Sequence, residues 1–342
     1  MARQAEVLAL AVPASTDAAD GFITTQDGRN AYLYRAVLVY DPALDAMVHQ
    51  VDGRTYPDNG RGAFERPGEP PLLPGWTAVI GVDNYATALR DSVRNPQIVG
   101  VLTWTFVFAF RAVPTTFGLG TFLALVFNDP RIRGRRLYRV IMLLPYGFPA
   151  FMSILVWGGM FNPSYGFIND TLLGGVRIPW LDDPLLAKAS ILLVNLWLDF
   201  PYFFLVATGA LQAIPAELEE AAVLDGANRW ALFRRIRFPL MLVSLAPLLI
   251  ASFAFAINNY TLIWLLTQGQ PVKLGSMNGI GETDILITMV YKIAFGAGDL
   301  TGGGNPTVDY GLASAYSTLI FVIVGAISIW SYRRTRKLEE VF

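Results

Sequence analysis

The residues whose types and spacing could do work lie in Glu220-Ala-Ala-Val-Leu-Asp-Gly226, followed ten residues later by Ile236-Arg-Phe-Pro239. The chemistry they offer is mechanical. Pro215 suits the first turn of a helix, and Glu217, Glu219 and Glu220 complement the positive end of its dipole. Ala221 and Ala222 carry little bulk, so another surface can approach closely. Gly226 is a natural left-handed cap that reverses the chain before a basic helix over 229–237, and Pro239 opens the next apolar stretch. A polar helical hairpin wedged between two long apolar segments has to meet a partner and pass a push along. The plainer alternative is an ordinary helical hairpin with Gly226 as its cap.

Bond-making chemistry has little to work with. The 342 residues contain no cysteine, which excludes disulfides, thiol catalysis and cysteine-ligated metal. The single histidine, His49, lies in the polar N-terminal part, where a surface role is the simplest reading and a metal or catalytic role the alternative. No GxxxxGK[ST] phosphate loop is present, so the chain is expected to bind no nucleotide itself, to need no cofactor and to be no enzyme. Asp199 stands out because a carboxylate in an apolar helix is costly and is a functional candidate by default.

The elements that must position these groups are set by composition. Apolar residues make up 54% of the chain and charged residues only 15%, too apolar for an ordinary soluble domain. A net charge of −1 gives no reason to expect nucleic acid as a partner. Residues 1–95 differ: they are polar, rich in Asp, Gly and Pro, and carry short β-like runs such as 32–40 between turn signals. They read as a small β-rich extramembrane segment, with residues 83–93 as a short interfacial helix. Five apolar segments follow, at 98–127, 139–161, 185–212, 240–266 and 311–332, each about the 20 residues needed to cross a bilayer, or longer. The expected architecture is therefore all-α integral membrane, with residues 96–342 as the membrane domain.

Loop charges orient the spans. Arg131, Arg133, Arg135, Arg136 and Arg139 place residues 128–139 inside. Asp170, Asp182 and Asp183 against Arg177 place 162–184 outside. Arg229, Arg234, Arg235 and Arg237 bring 217–239 inside again, and the tail Arg333-Arg334-Thr-Arg336-Lys337 ends inside. The N-terminus is then outside, yet the 7–13 run is a poor signal peptide: it is short, follows Glu6 and lacks a small-x-small cleavage site. Either the sequence is a piece of a longer protein or its first span inserts as a reverse anchor. Pro114, Pro145, Pro149 and Pro201 interrupt the spans and predict kinks, which suit a transport path or a packing adjustment. Arg111 is expected near the outer end of the first span, snorkelling to the interface.

The spacing Glu-Ala-Ala, three residues, Gly, nine residues, Ile-x-x-Pro resembles the coupling loop of ABC importer permeases, with Phe238 where that family usually has leucine. From about residue 74 onward the chain is similar to the larger permease subunit of maltose/maltodextrin ABC importers. The likeness is carried by Tyr138-Arg139-Val140 through Leu144-Pro145-Tyr146, Ser153-Ile-Leu, Asn195-x-Trp197-Leu198 with Pro201-Tyr202, Ala251-Ser252-Phe253-Ala254-Phe255 and Asn258-Asn259. It implies five helices of the type I ABC importer permease fold, with residues 1–95 as a remnant of a periplasmic insertion. It implies a coupling loop over 213–239, with Glu220, Ala221, Ala222, Asp225 and Gly226 meeting the ATPase.

The resemblance further implies a sugar held midway across the membrane by Asn195, Leu198, Asp199, Tyr202, Ser252, Phe255, Ala256 and Asn259. Amides and hydroxyls suit sugar hydroxyls, and aromatic rings suit the apolar sugar face. Helical spacing groups 195, 198, 199 and 202, and likewise 252, 255, 256 and 259. Two positions depart from the maltose pattern: Asp199 replaces glycine and Ala256 replaces asparagine. Asp199 could grip hydroxyls, pair with an amino sugar or pair with a partner's arginine. The implied partners are two ATP-binding subunits that hydrolyse ATP, a second homologous permease, an extracytoplasmic sugar-binding protein and the lipid of the bacterial inner membrane. The competing reading is a proton-coupled secondary transporter using Asp199. A membrane-anchored receptor with residues 1–95 as its binding module is a third.

Overall fold

The computed structural model describes residues 11–14, 21–25, 29–69, 71–129, 131–272, 276, 279–296 and 309–339, with side chains as far as Arg333. The apolar run at 7–13 therefore falls largely outside the described residues, as do the side chains of the basic tail beyond Arg333. The chain divides into two compact units, Met1–Asp83 and Asn84–Phe342.

The first unit holds two three-stranded antiparallel sheets. One joins β1 (Val12–Pro13), β2 (Phe22–Thr24) and β3 (Tyr32–Tyr34), with Phe22 opposite Tyr34. The other joins β4 (Leu38–Asp41), β5 (Ala46–His49) and β6 (Thr55–Pro57), with Met47 opposite Tyr40 and Tyr56. The 32–40 run is thus two strands in two sheets, parted at Arg35–Val37. Ala46 and Tyr56 are the buried side chains of the second sheet, and the Tyr56 hydroxyl donates to Glu69 at 2.8 Å. His49 lies 2.7 Å from Asp52 at the turn into β6.

The second unit is helical. It opens with α1 (Asp83–Arg94) and α2 (Pro96–Asn128). Asn95 caps α2 by accepting from the Gln97 amide at 3.0 Å, and Pro96 fills the first turn, where a missing N–H costs nothing. At the far end Arg139 donates to the orphan carbonyl of Phe127 and to Asn128 Oδ1. Then come α3 (Arg135–Gly147), α4 (Ala150–Met160) and α5 (Pro184–Gln212), the last capped by Asp183 on two amides at 2.9 Å. The chain ends in α6 (Ala216–Leu224), α7 (Arg229–Leu232), α8 (Phe238–Ile257), α9 (Tyr260–Leu266), α10 (Leu286–Phe295) and α11 (Tyr310–Glu339).

Among the described residues four helical stretches are long and apolar enough to cross a membrane, and a fifth forms if the bent pair α3 and α4 counts as one. At 33 residues α2 is about 50 Å long, well beyond the roughly 30 Å of hydrocarbon it has to cross. Two expected spans are broken. The 139–161 segment bends by 90° between α3 and α4, where Pro149 cannot supply the N–H that would continue the helix. The 240–266 segment stops at Ile257, and Asn259 starts a new helix by accepting from the Leu262 amide at 3.3 Å. Pro114 and Pro201 lie inside uninterrupted helices. Arg111 is exposed fifteen residues into α2, so the helix runs well past the outer end expected for it.

Helices α2 and α5 form the spine. Trp104 and Phe108 of α2 meet Ile191 and Val194 of α5 in one core, and Phe117 meets Phe203 and Phe204 in another. Large apolar side chains cover the outside, including Leu137, Phe151, Val156, Phe321 and Trp330, as suits surfaces that face lipid or another subunit. The spine closes tightly at Gly120, where an added Cβ would stand 2.6 Å from Phe203 Cβ and the Phe204 amide nitrogen. Gly120→Ala is expected to push the helices apart at a cost of about 1–3 kcal/mol. Thermal unfolding of the detergent-purified chain reads this, and an unchanged midpoint would show that the interface has slack.

Candidate functional site

Seven of the eight predicted midplane residues come from the middle of α5 and the end of α8, and Asn259 from the turn just beyond it. Asn195 and Ala256 are buried, at 2% and 8% exposure, and Leu198 packs against the core that contains Ala256. Asn259 Nδ2 donates to Asn195 Oδ1 across the two elements at 3.4 Å, while its own Oδ1 caps α9. Asp199 is exposed one turn along from Asn195, Tyr202 and Ser252 are half-buried, and Phe255 is 80% exposed. The structure therefore joins Asn195 to Asn259 and leaves Asp199 and Phe255 on the surface. Phe255 and Ala256 do not share a face as the spacing suggested: one looks outward while the other is packed. Asn259 is not on that helix at all, because α8 has already ended. These side chains comprise amide donors and acceptors, a carboxylate and aromatic rings.

A cleft of ≈ 420 Å³ lies elsewhere, between the first turns of α2 and α5 and the loop before α10. Gln97, Trp104, Lys188 and Glu282 line it, and none of the predicted residues does. Lys188 donates to Glu282 at 3.1 Å and stands 5.3 Å from the centre of the Trp104 ring. Among the described residues no group of three or more His, Cys, Asp or Glu side chains is placed to hold a metal ion.

The hairpin between α5 and α8 is built from local backbone chemistry. At the end of α6 the Gly226 amide donates to Val223 O at 3.0 Å and the Ala227 amide to Ala222 O at 2.9 Å, the paired bonds of a Schellman cap. Gly226 has φ +84°, a conformation that glycine adopts without strain. Asn228 then starts α7 by accepting from the Ala231 amide at 2.8 Å. Glu220, Ala221, Asp225 and Gly226 are exposed and Ala222 is half-buried, while Leu224 stands 88% exposed at the tip.

Sequence reasoning missed two features. Glu219, expected to serve the helix dipole, instead grips Arg237: Nε donates to Oε1 and Nη2 to Oε2, both at 2.7 Å. The bonds from the guanidinium hold the Glu219 carboxyl below the usual carboxylate range. The second is a fully buried pair in which Lys292 donates to Asp284 at 2.6 Å. The sequence signal for it was a lysine inside the apolar run of α10.

Residues 116–337 match the family described as binding-protein-dependent transport system inner membrane component. A maltose/maltodextrin transport system permease protein MalF from Vibrio vulnificus is 44% identical over 267 residues, 78% of this chain and 50% of the relative. The MalF protein of Vibrio parahaemolyticus is 43% identical over 318 residues, 92% of this chain and 57% of the relative. The chain spans about half the length of the curated relatives it matches. Among solved structures, a bacterial ABC transporter involved in the import of the acidic polysaccharide alginate superposes with a TM-score of 0.62 at 23% identity, covering 76% of this chain and 84% of that one. The same transporter in complex with an alginate pentasaccharide-bound periplasmic protein gives the same values. The likeness establishes the fold, that of a type I ABC importer permease.

Proposed function

Because the chain belongs to the binding-protein-dependent transport system inner membrane components, we propose that it acts as a permease subunit of an ATP-driven importer for maltose, maltodextrin or a related oligosaccharide. The observation that carries the reading is the Gly226-capped hairpin, which projects an exposed, small-residue helix and an apolar tip from between two membrane helices. A subunit without a nucleotide site needs such a lever to turn closure of its ATPases into helix motion. The two ATP-binding subunits dock on residues 213–239 through Glu220, Ala221, Ala222, Asp225 and Gly226. A second homologous permease covers the apolar surfaces of this chain, and an extracytoplasmic binding protein delivers the sugar. Residues 1–95 lie outside and the C-terminus inside, in the bacterial inner membrane.

In this reading the sugar passes beside Asn195, Asp199, Tyr202, Ser252, Phe255 and Asn259, with Leu198 and Ala256 shaping the wall behind them. Asp199 and Phe255 stand exposed on this chain, where a ligand or a second permease can reach them. The departures at Asp199 and Ala256 favour a relative of maltose over maltose itself.

The test is co-purification in mild detergent with candidate ATPase and second-permease subunits, followed by ATP hydrolysis with sugar-loaded binding protein across a panel of sugars. Recovery of the complex with sugar-dependent hydrolysis is expected. A correctly inserted chain that recruits no ATPase would overturn the reading. Asp199→Asn in proteoliposomes separates it from a proton-coupled carrier: uptake should stay ATP-driven and insensitive to a protonophore.

A further inference from the structure

We propose that Glu219 and Arg237 form a strut that makes the coupling helix α6 and the base of membrane helix α8 one rigid lever. The inference rests on the coupling role proposed for this hairpin. A turn and a change of helical register separate α6 from α8. The first is Gly226, an exposed turn where an added side chain would meet nothing within 4 Å. The second is the π turn at Phe233–Arg237, in which the Phe238 amide donates to Phe233 O, five residues back. The stretch Arg229–Ile257 runs as one helix through the π turn, so a force applied to α6 alone would fold the hairpin at Gly226 rather than move α8.

The Glu219–Arg237 pair bypasses both. It links the first turn of α6 directly to the residue that precedes α8, by two parallel bonds of 2.7 Å. A planar guanidinium held at two points by a carboxylate fixes orientation as well as distance, which a lysine cannot do. The pair is about two-thirds withdrawn from solvent, at 33% and 27% exposure for Arg237 and Glu219. The π turn supplies the register, because one extra residue in the turn rotates the next helix by about 100° relative to an uninterrupted α-helix. Arg234 and Arg235 of the same turn are exposed, whereas Arg237 is turned in toward α6. Through the turn Trp230, Phe233 and Phe238 make successive tilted ring contacts with centres 5.6 Å apart, which stiffen the arm that carries Arg237. Neither residue is among those the coupling motif specifies, and both are positioning residues.

The absence of native cysteine allows a direct test. Spin labels at Leu218→Cys in α6 and Ser244→Cys in α8, both exposed sites, report the distance between the two arms in the assembled importer. Electron–electron double resonance on the nucleotide-free and the ATP- and vanadate-trapped complex should give one narrow distribution with the same mean. Glu219→Gln and Arg237→Gln should lose it, broadening or splitting the distribution on trapping while the complex still assembles. The exchanged pair Glu219→Arg with Arg237→Glu should restore it, and Arg237→Lys should restore it only in part. A narrow distribution in both glutamine variants would overturn the strut, as would a broadening that the exchanged pair leaves in place. Failure of the unmodified chain to recruit ATPase would instead remove the coupling reading on which the strut depends, and the strut with it.

Discussion

Lys292→Met is expected to destabilise the folded chain by about 3–5 kcal/mol, a large part of the 5–15 kcal/mol that holds a typical domain together. The Lys292 and Asp284 side chains are 1% and 0% exposed. Asp284 Oδ2 accepts from Lys292 Nζ at 2.6 Å and from the Gly281 amide at 2.7 Å, and Lys292 also donates to Gly279 O at 2.9 Å. Gly269, with φ +84°, packs against the carboxylate so closely that any Cβ there would overlap it. On the Gly269 side the carboxylate is therefore closed to water. Removing Lys292 strands a buried carboxylate whose Oδ1 has no hydrogen-bond partner among the described residues. Asp284→Leu strands an ammonium in the same way.

The damage should spread, because this loop anchors α10 to the spine. Trp104 Nε1 donates to Thr283 O at 3.2 Å, and the Leu286 amide donates to Thr105 Oγ1 at 3.0 Å. The decisive comparison is the double variant Asp284→Leu with Lys292→Met. It removes both charges and should recover more than half of the single-variant loss, since replacing a whole buried ion pair is far less costly than breaking it. Unfolding midpoints of the purified chain in one detergent read all three. Singles no worse than the double would mean that the pair is solvated and the buried-charge argument wrong.

What was legible in the sequence was mostly what short-range backbone chemistry decides. The expected segments 98–127 and 185–212 became Pro96–Asn128 and Pro184–Gln212, because a capping side chain followed by proline fixes where each helix begins. Gly226 sits where a left-handed cap was expected, for the same reason. The direction of the backbone inside an apolar run was not legible. Apolar content is blind to the 90° turn between α3 and α4, although Pro145 and Pro149 announced some kink there. Asn259 was read as a polar residue on the helix face of 252, 255 and 256, and the structure makes it the cap of a new helix instead. The two ion pairs were hidden because their partners are 18 and 8 residues apart and no local period links them. Which of the proposed sugar-contacting side chains are covered and which stand free was not legible, because it depends on packing between helices: Asn195 and Ala256 are buried while Asp199 and Phe255 are exposed.

Gly226→Trp should abolish recovery of ATPase with the chain while leaving insertion and folding almost intact. The two effects separate because the glycine is special in its backbone and not in its surroundings. At φ +84° a non-glycine residue carries about 1–2 kcal/mol of strain, and with nothing within 4 Å of the new Cβ there is no clash to add. The indole would then project beside the exposed tip of α6, next to Leu224 and above Ala221, where the partner surface has to come close. Obstructing that approach should lower recovery at least about tenfold, the equivalent of 1.4 kcal/mol of lost affinity. Gly226→Ala is the control, since it carries the same backbone strain without the bulk and should keep most of the binding. If alanine fails as badly as tryptophan, the cap geometry rather than free approach is what the partner needs. If tryptophan binds as well as glycine, the partner does not dock on this face of the hairpin, and the proposed lever has to be sought elsewhere on the chain.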